Sequence, residues 1–564
     1  MVDLVIRNGE VVDGSGAPRR RADVAVDGGR VVAVGEVGER GEREIDAGGR
    51  VVTPGFVDVH THYDAQVFWD PTLGPSPLHG VTSVFSGNCG FSIAPLVDRE
   101  ADYLMTMLAR VEGMPLEALA AGVPWNWTTT AAYLDAIPAL SVNAGFMVGH
   151  SALRRVVMGD DGTSRAATPE EVEQMQSMLR AGLAAGAVGF SSSWAETHND
   201  ATGEMVPSRF ATLDELVALS SVCSEFPGTS LEFIPTVRDF GEEHFDAMTR
   251  MSVAAGRPLN WNLLTVNAKN GAGVEQRLAA GDYARERGGR VVALTIPEAP
   301  RPRLSFLSGF VLDALEGWAQ PMALPPKEKL ELLADPQRRR ELAAAADGTV
   351  GLIRNIARWQ IHEIIEAFTP DTKRFEGRTV GDIAAEQGKD PFDALCDIVV
   401  ADELRTAFST PSVGNAKDDW AARVAVWRDE RALIGASDAG AHLDLLATFN
   451  YTTTVLAQPV REHDVVSLEE AVHLMTEVPA RLYGMVDRGV VRAGAHADLV
   501  VLDPDTVGPE PVRTVDDMPT GASRVYGGAT GIDSVLVAGE EIVAGGVLTA
   551  ARPGRVLRSG TDTR

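Results

Sequence analysis

Eight short apolar segments recur through the middle of the chain, and each has the length of a β-strand. The stretches between them carry helical patterns, so that strands and helices alternate. Such alternation favours βα units around a parallel sheet, and eight units are the number that a (β/α)₈ barrel requires. The predicted strands cover residues 55–60, 81–87, 144–150, 187–193, 230–236, 258–265, 290–296 and 432–438.

The best-defined helix lies between the third and fourth predicted strands. Its sequence is ATPEEVEQMQSMLRAGLAAG, in which Thr168 can act as the N-cap and Pro169 suits the first turn. Gly186 then ends the helix.

The two ends of the chain differ from the middle. Residues 1–54 and 480–564 contain short apolar strands separated by Gly-rich turns, which predicts one composite β-sandwich built from both ends. Residues 55–479 then form the barrel domain. The segment 297–425 is too long for a single connection, so we predict an insertion that covers the mouth of the barrel.

Charge and cysteine content narrow the class of partner. The 564 residues carry 79 acidic and 51 basic side chains, a net charge of −28, which disfavours nucleic acid and anionic membranes as partners. The three cysteines are far apart and suggest no disulfide framework, as in a reducing compartment. No basic leader and no apolar run of membrane-spanning length stands out. We therefore expect a cytoplasmic protein that acts on a small molecule.

The motif PGFVDVHTHYD places His60 and His62 on one face of the end of a strand, because alternate side chains of a strand point the same way. Cys89 follows the second predicted strand, His150 ends the third and Asp438 ends the eighth. Catalytic groups of such barrels lie at the carboxyl ends of the strands. Imidazole, thiolate and carboxylate groups are ordinary zinc ligands, so His60, His62, Cys89 and Asp438 are the predicted metal site.

Roles within this set stay open on sequence alone. Asp438 can bind the metal, accept a proton from the attacking water, or do both. His150 is a candidate catalytic or orienting residue, and a hydrogen-bonded core histidine is the equally simple interpretation. His442, four residues after Asp438, is either a substrate contact or a solvated loop residue.

A serine nucleophile is the rival mechanism. Ser191, Ser192 and Ser193 end the fourth predicted strand, and Ser192 is a candidate substrate contact. No Gly-x-Ser-x-Gly elbow surrounds them, which disfavours nucleophilic catalysis by serine.

Several of these stretches carry a resemblance to a known family. TPGFVDVHTHYD, GVTSVFSGNCGFSIAP, GHSALR, GAVGFSSS and SDAGAH resemble the amidohydrolase superfamily, specifically its N-acyl-D-amino-acid deacylase group, over residues 3–545. The GNCG after the second strand is the most specific part. The resemblance implies a barrel with a split β-sandwich, zinc, and hydrolysis of an amide. It also implies metal-binding or general-base roles for His60, His62, Cys89 and Asp438.

The chain departs from that group at two metal positions. The group has a histidine at the end of the fifth strand, where this chain has Thr236, and another at the end of the sixth, where it has Leu263 or a neighbour. With two nitrogen ligands missing, we predict at most about one zinc ion, or another divalent metal, per chain, and the alternative is no tightly held ion.

A third departure concerns the substrate. The group has an arginine shortly after the eighth-strand aspartate that holds the substrate carboxylate, and this chain has Asp444 there. Repulsion between carboxylates makes a free N-acyl amino acid a poor expected substrate, unless Arg461 or Lys269 supplies the positive charge instead.

Two functions of different class remain. One is a zinc-dependent hydrolase of an amide or related C–N bond. The other is a non-hydrolytic descendant of the fold, a binding protein or another class of enzyme with a degenerate metal site. Retention of His60, His62, Cys89 and Asp438 together favours the hydrolase.

Overall fold

A computed structural model of the protein describes residues 1–349 and 352–564, and these residues have an α/β fold. The described chain divides into two units. The larger consists of residues 1–298, 414–443 and 448–564, and the smaller of residues 299–413 and 444–447.

Parallel strands form the centre of the larger unit. Every one of the eight predicted segments overlaps a strand, which we number β1 to β8, with β3 in two pieces. Their bounds are β1 Phe56–Asp58, β2 Val81–Ser86, β3 Asn143–Phe146 and Val148–Gly149, β4 Gly189–Ser193, β5 Ser230–Ile234, β6 Leu259–Leu264, β7 Val291–Thr295 and β8 Ala432–Ile434.

Strands that follow one another in the sequence pair in parallel, from β1 to β3 in one ladder and from β3 to β8 in another. A parallel bridge also joins Thr61, just after β1, to Ala439, just after β8. The carboxyl ends of the first and last strands therefore lie side by side. Apolar side chains such as Val57, Phe85 and Leu433, at most 2% exposed, pack together in this part of the molecule.

Helices connect most of the strands. The one predicted after Thr168 spans Pro169–Ala184 and has a capping box, because the Thr168 hydroxyl accepts from the Glu171 amide and the Glu171 carboxylate accepts from the Thr168 amide. No helix in the described part of the chain is long and apolar enough to cross a membrane. The other α-helices of the larger unit are Ala101–Val111, Leu116–Gly122, Thr130–Ala136, His150–Met158, Leu213–Val222, Glu242–Ala255, Gly271–Glu286, Lys417–Trp427, Tyr451–Val455, Leu468–Met475 and Glu477–Leu482.

Both ends of the chain contribute to one nine-stranded sheet. The two halves meet where Val51–Pro54 pairs antiparallel with Leu499–Leu502. Alternate apolar residues such as Leu4, Ile6 and Val24, at most 1% exposed, form its core. The remaining strands of the sheet are Val2–Val11, Arg20–Asp27, Arg30–Gly35, Gly41–Asp46, Ile532–Val537, Glu540–Ala544 and Val547–Leu548.

The smaller unit is mainly helical. Aromatic side chains fill its core, and Trp318 stacks on Trp359 with ring centroids 5.3 Å apart. Its strands Glu363–Glu366 and Ala407–Ser409 pair antiparallel. Its helices are Ala319–Ala323, Pro326–Ala334, Pro336–Asp347, Pro370–Lys373, Val380–Gln387 and Pro391–Ala401.

Candidate metal centre and its surroundings

Four side chains with metal-binding atoms meet at the carboxyl ends of β1, β2 and β8. Nε2 of His62 lies 3.1 Å from Oδ1 of Asp438 and 3.8 Å from Sγ of Cys89. Nε2 of His60 lies 3.5 Å from the same carboxylate oxygen and 3.4 Å from Sγ. We call His60, His62, Cys89 and Asp438 the ligand cluster. The Asp438 side chain is 32% exposed and the other three are buried, so Asp438 is the member that solvent reaches most easily.

Backbone hydrogen bonds hold the two outer strand ends in register. The Asp438 amide donates to the His60 carbonyl at 3.0 Å, and the His62 amide donates to the Ala439 carbonyl at 2.7 Å. Gly440 has a φ of 90°, and a Cβ there would lie 2.8 Å from the His62 carbonyl group. The loop after β8 can therefore pass this close to His62 because residue 440 has no side chain.

Two members of the ligand cluster have unusual backbone angles. Cys89 and Asp438 have φ values of 59° and 60°, in the left-handed region that residues other than glycine seldom adopt. Such conformations cost about 1–3 kcal/mol each and concentrate at functional sites. The local backbone thus places these two side chains at some cost to stability.

The spacing of the donor atoms fits a tetrahedral ion. With zinc–nitrogen and zinc–oxygen bonds near 2.0 Å and zinc–sulfur bonds near 2.3 Å, neighbouring ligand atoms lie about 3.3–3.6 Å apart. The four measured separations run from 3.1 to 3.8 Å. Two neutral imidazoles, a thiolate and a carboxylate also balance a divalent cation in charge. The residues present therefore fit zinc.

Charges around His62 favour a cation at this place. Burial alone would lower the pKa of His62, but the carboxylates of Glu112 and Asp438 outweigh burial and raise it to about 10. Burial raises the pKa of the Cys89 thiol well above its ordinary value, and Glu232 adds to the shift. Since a bound cation deprotonates a thiol, ionisation of Cys89 is expected to depend on the metal.

Glu112 is a neighbour of the cluster that the sequence did not predict. Its carboxylate is buried and lies 3.4 Å from Nδ1 of His62. Ligand atoms of His62, Glu112 and Asp438 all lie within 4.8 Å of one another, so Glu112 is itself a possible metal ligand. Its carbonyl accepts a hydrogen bond from the amide of His442 at 2.5 Å. Glu112 follows the helix Ala101–Val111 in a stretch without a recognisable motif, so only the fold shows that it reaches His62.

The positions where histidines were expected on β5 and β6 have other contacts. The Thr236 hydroxyl donates to the Glu196 carboxylate at 2.8 Å, and the Leu263 side chain is 39% exposed.

Earlier along the same two strands, Glu232 accepts from the amide of Cys89 at 2.7 Å and from the side-chain amide of Asn262. A carboxylate and an amide, bonded to each other, thus lie beside Cys89.

His150 and Ser192, predicted as catalytic and substrate-binding, lie together in a buried polar network. Nδ1 of His150 is 2.8 Å from the Ser192 hydroxyl, and Nε2 is 2.9 Å from Glu215. Arg154 donates to the same carboxylate at 2.5 and 2.7 Å. All four side chains, which we call the His150 network, are at most 2% exposed. This placement favours the structural interpretation of His150 and Ser192 over the functional one.

The two loop residues predicted as substrate contacts lie in different units. Nε2 of His442 is 3.7 Å from Oδ2 of Asp438, so His442 adjoins the ligand cluster. Asp444 belongs to the smaller unit, where it is half-buried. Burial lowers the pKa of the Arg303 guanidinium, and the negative charge of Asp444 acts in the opposite direction.

Comparison with known proteins agrees with this architecture. The model of the Amidohydrolase family matches residues 43–543. The chain is 30% identical to D-aminoacylase of Alcaligenes xylosoxydans xylosoxydans, covering 98% of this chain and 97% of that one, and 32% identical to N-acyl-D-glutamate deacylase of the same organism, covering 99% and 96%.

Solved structures give the same result. A D-aminoacylase with a binuclear metal centre, described as activated by one metal and attenuated by a second, is 27% identical with a TM-score of 0.64, covering 99% of this chain and 100% of that one. N-acyl-D-glutamate deacylase from Bordetella bronchiseptica, solved with zinc and a phosphonate inhibitor, is 28% identical with a TM-score of 0.61, covering 99% of each chain. The resemblance seen in the motifs is therefore confirmed: this chain belongs to the amidohydrolase family.

Proposed function

We propose that this protein hydrolyses an amide or related non-peptide C–N bond of a small molecule, with one zinc ion held by the ligand cluster. The observation that carries the proposal is the convergence of the donor atoms of His60, His62 and Cys89 within 4.8 Å of one another, with an Asp438 oxygen 3.1 and 3.5 Å from the two imidazoles. Family membership supports it, since relatives that match nearly the whole chain include D-aminoacylase, N-acyl-D-glutamate deacylase and N-acyl-D-aspartate deacylase.

The proposal includes an architecture. Eight strands paired in parallel, with a bridge from the end of β8 back to the end of β1, support a closed (β/α)₈ barrel. The sheet built from both ends of the chain supports the composite sandwich over residues 1–54 and 480–564. We retain residues 297–425 as the proposed insertion in the barrel domain of residues 55–479.

The residues of the cluster have two roles, metal binding and proton transfer. His60, His62 and Cys89 would hold the ion, with Asp438 as a fourth ligand or as a base beside it. When bound, zinc acts as a Lewis acid and makes water more acidic. Asp438 accepts the proton of the attacking water and returns it to the leaving nitrogen. Hydrogen bonds with His60 and His62 outweigh burial and hold the pKa of Asp438 well below its ordinary value, so the carboxylate is ionised, the form that can accept a proton.

The contacts around Glu232 support a single ion. A second ion of the binuclear kind needs additional donors beside Cys89. Both oxygens of Glu232 already accept hydrogen bonds, one from the Cys89 amide and one from Asn262. Glu232 is thus held by its neighbours, and the described residues beside it supply no histidine for a second ion, which supports one tightly held ion per chain.

Metal analysis of the purified protein tests this proposal. We expect about one zinc per chain, loss of turnover on removal by a chelator, and recovery on adding zinc back. Cys89→Ala should lose the ion, whereas Cys223→Ala, which removes another buried free cysteine, should keep it. Two tightly held ions would contradict the single-ion proposal, and full turnover without metal would contradict the mechanism.

Substrate choice is the second part of the proposal. Glu112 and Glu232 lie beside the cluster, and the sequence has Asp444 where the resemblance leads us to expect an arginine. Of the alternative cations, Arg461 donates to the Val507 carbonyl. Neutral or esterified N-acyl compounds should therefore be preferred to free acids.

A panel of N-acetyl-D-amino acids with their amides and methyl esters measures this preference. We expect a higher kcat/KM for the amides and esters. Lys269 is exposed in the loop after β6, so Lys269→Met tests whether it provides a clamp. A clear preference for free acids that is lost in Lys269→Met would show that Lys269 binds the carboxylate. The prediction that Asp444 disfavours free acids would then be wrong.

A further inference from the structure

His198 is a histidine near the ligand cluster to which the sequence assigned no role. It lies in the loop after β4, and its ring contacts that of Phe91 with centroids 5.0 Å apart. Phe91 is buried and follows Cys89 by two residues. The backbone just after Cys89 packs against the end of β4, because a Cβ at Gly90 would lie 3.3 Å from the amide nitrogen of Ser193. The loop that carries His198 therefore starts next to the cluster.

Ser193 determines which ring nitrogen of His198 carries the proton. The Ser193 hydroxyl accepts from the amide of Ala195 at 3.1 Å and lies 2.8 Å from Nδ1 of His198. Ser193 is 0% exposed, and within the described residues its hydroxyl hydrogen has no other acceptor. Since a buried donor is costly when unpaired, Ser193 donates to Nδ1 and the ring proton resides on Nε2.

The backbone of His198 is also fixed. Its amide donates to the Ala195 carbonyl at 3.1 Å, and its carbonyl accepts from the Val206 amide and from the Arg209 side chain, both at 3.3 Å. In the described part of the chain Nε2 has no hydrogen-bond partner. Burial lowers the pKa of His198 to about 3, so the ring is neutral at ordinary pH. An oriented and uncharged N–H group thus lies beside the cluster without a partner.

We propose that Nε2–H of His198 donates a hydrogen bond to the carbonyl oxygen of the scissile amide. This inference rests on the proposed function, because it assigns a contact to that substrate. A neutral imidazole gives one directional hydrogen bond, which suits an oxygen that gains negative charge as water adds to the carbonyl carbon. It offers no countercharge, so it does not replace an arginine that would hold a carboxylate.

Three variants test the contact in zinc-loaded protein. His198→Phe should lower kcat on the best amide of the panel by roughly 10²-fold, the usual loss for one such donor, with KM and zinc content nearly unchanged. His198→Gln keeps an N–H donor and should recover part of the loss. Ser193→Ala, which frees the ring to exchange its proton between nitrogens, should fall in between. His463→Gln, at a half-buried histidine after the turn Leu456–Glu462, should match the wild type.

Two further measurements separate this inference from the proposed function. Nitrogen-15 NMR of histidine-labelled protein should show His198 protonated on Nε2, and protonation on Nδ1 would overturn the inference whether or not the protein is active. A His198→Phe variant with wild-type kcat would overturn it too. If wild-type protein with zinc hydrolyses no amide of the panel, the proposed function fails, and calorimetry with a phosphonate mimic of the tetrahedral intermediate tests the contact alone. Weaker binding of the phosphonate to His198→Phe supports the contact, while equal or absent binding overturns it.

Discussion

Two groups of polar side chains follow parallel strands of the same unit and differ in where their hydrogen-bonding atoms point. In the His150 network, both nitrogens of His150 are engaged, one by Ser192 and one by Glu215, and the network is fully buried. In the ligand cluster, Nε2 atoms of two histidines converge on a thiol and a carboxylate that is 32% exposed. A polar residue at a strand end is thus a functional candidate when its polar atoms face one shared, accessible point, and a structural one when neighbours satisfy them all.

The largest expected effect comes from breaking the His150 network. Glu215→Gln leaves the buried Arg154 without its counter-charge, and removing one partner of a buried ion pair costs about 3–5 kcal/mol of the free energy of unfolding. We expect denaturant unfolding to show this loss, while zinc content and turnover per folded molecule stay close to wild type. Asp214→Asn, at the exposed neighbouring residue paired with Arg250, should change stability by less than about 1 kcal/mol.

The pH dependence of unfolding provides a check on the same variant. Hydrogen bonds from His150 and the charge of Arg154 outweigh burial and lower the pKa of Glu215 from 4.5 to about 2. A carboxylate with a lowered pKa stabilises the fold above pH 4.5, and this stabilisation is lost as the pH falls towards 2. The unfolding free energies of wild type and Glu215→Gln should therefore converge below pH 4.5. Unchanged stability together with lost turnover would instead make His150 a functional residue.

This contrast explains which parts of the fold and of the site can be predicted from the sequence. The eight strands and the helix after Thr168 follow from periodicity and capping, which are local properties of the chain. The ligand cluster could be predicted because its members lie at strand ends, where barrels of this kind carry their catalytic groups. The partner of His150 was not, because Glu215 lies 65 residues away and only the fold brings it within 2.9 Å. Glu112 was missed for the same reason, since it follows a helix and belongs to no motif.

Within the ligand cluster, Asp438 should have the next largest effect. Asp438→Asn removes the proton acceptor but keeps the shape of the side chain, so we expect turnover to fall by roughly 10²-fold. His60, His62 and Cys89 remain, and most of the zinc should stay bound. Kinetics with matched metal analysis measures both quantities, and Asp418→Asn on the exposed start of Lys417–Trp427 is the control. Near wild-type turnover in Asp438→Asn would remove this residue from the mechanism.

Glu112 should have the smallest effect of the residues compared. Its carboxylate is buried like that of Glu215 but faces a residue of the ligand cluster. It lies 3.4 Å from Nδ1 of His62, and its negative charge beside a ligating histidine raises the basicity of the ring. Glu112→Gln should therefore weaken zinc affinity by roughly tenfold, the lower end of the usual range for such partners. Competition with a chelator of known affinity measures the change, with Glu117→Gln on the exposed helix Leu116–Gly122 as the matched control. Unfolding of the zinc-free proteins separates the two roles. If Glu112 acts through His62, Glu112→Gln should bind zinc more weakly than the control. If the carboxylate is purely structural, the variant should change the stability of the zinc-free fold and bind zinc as tightly as the control.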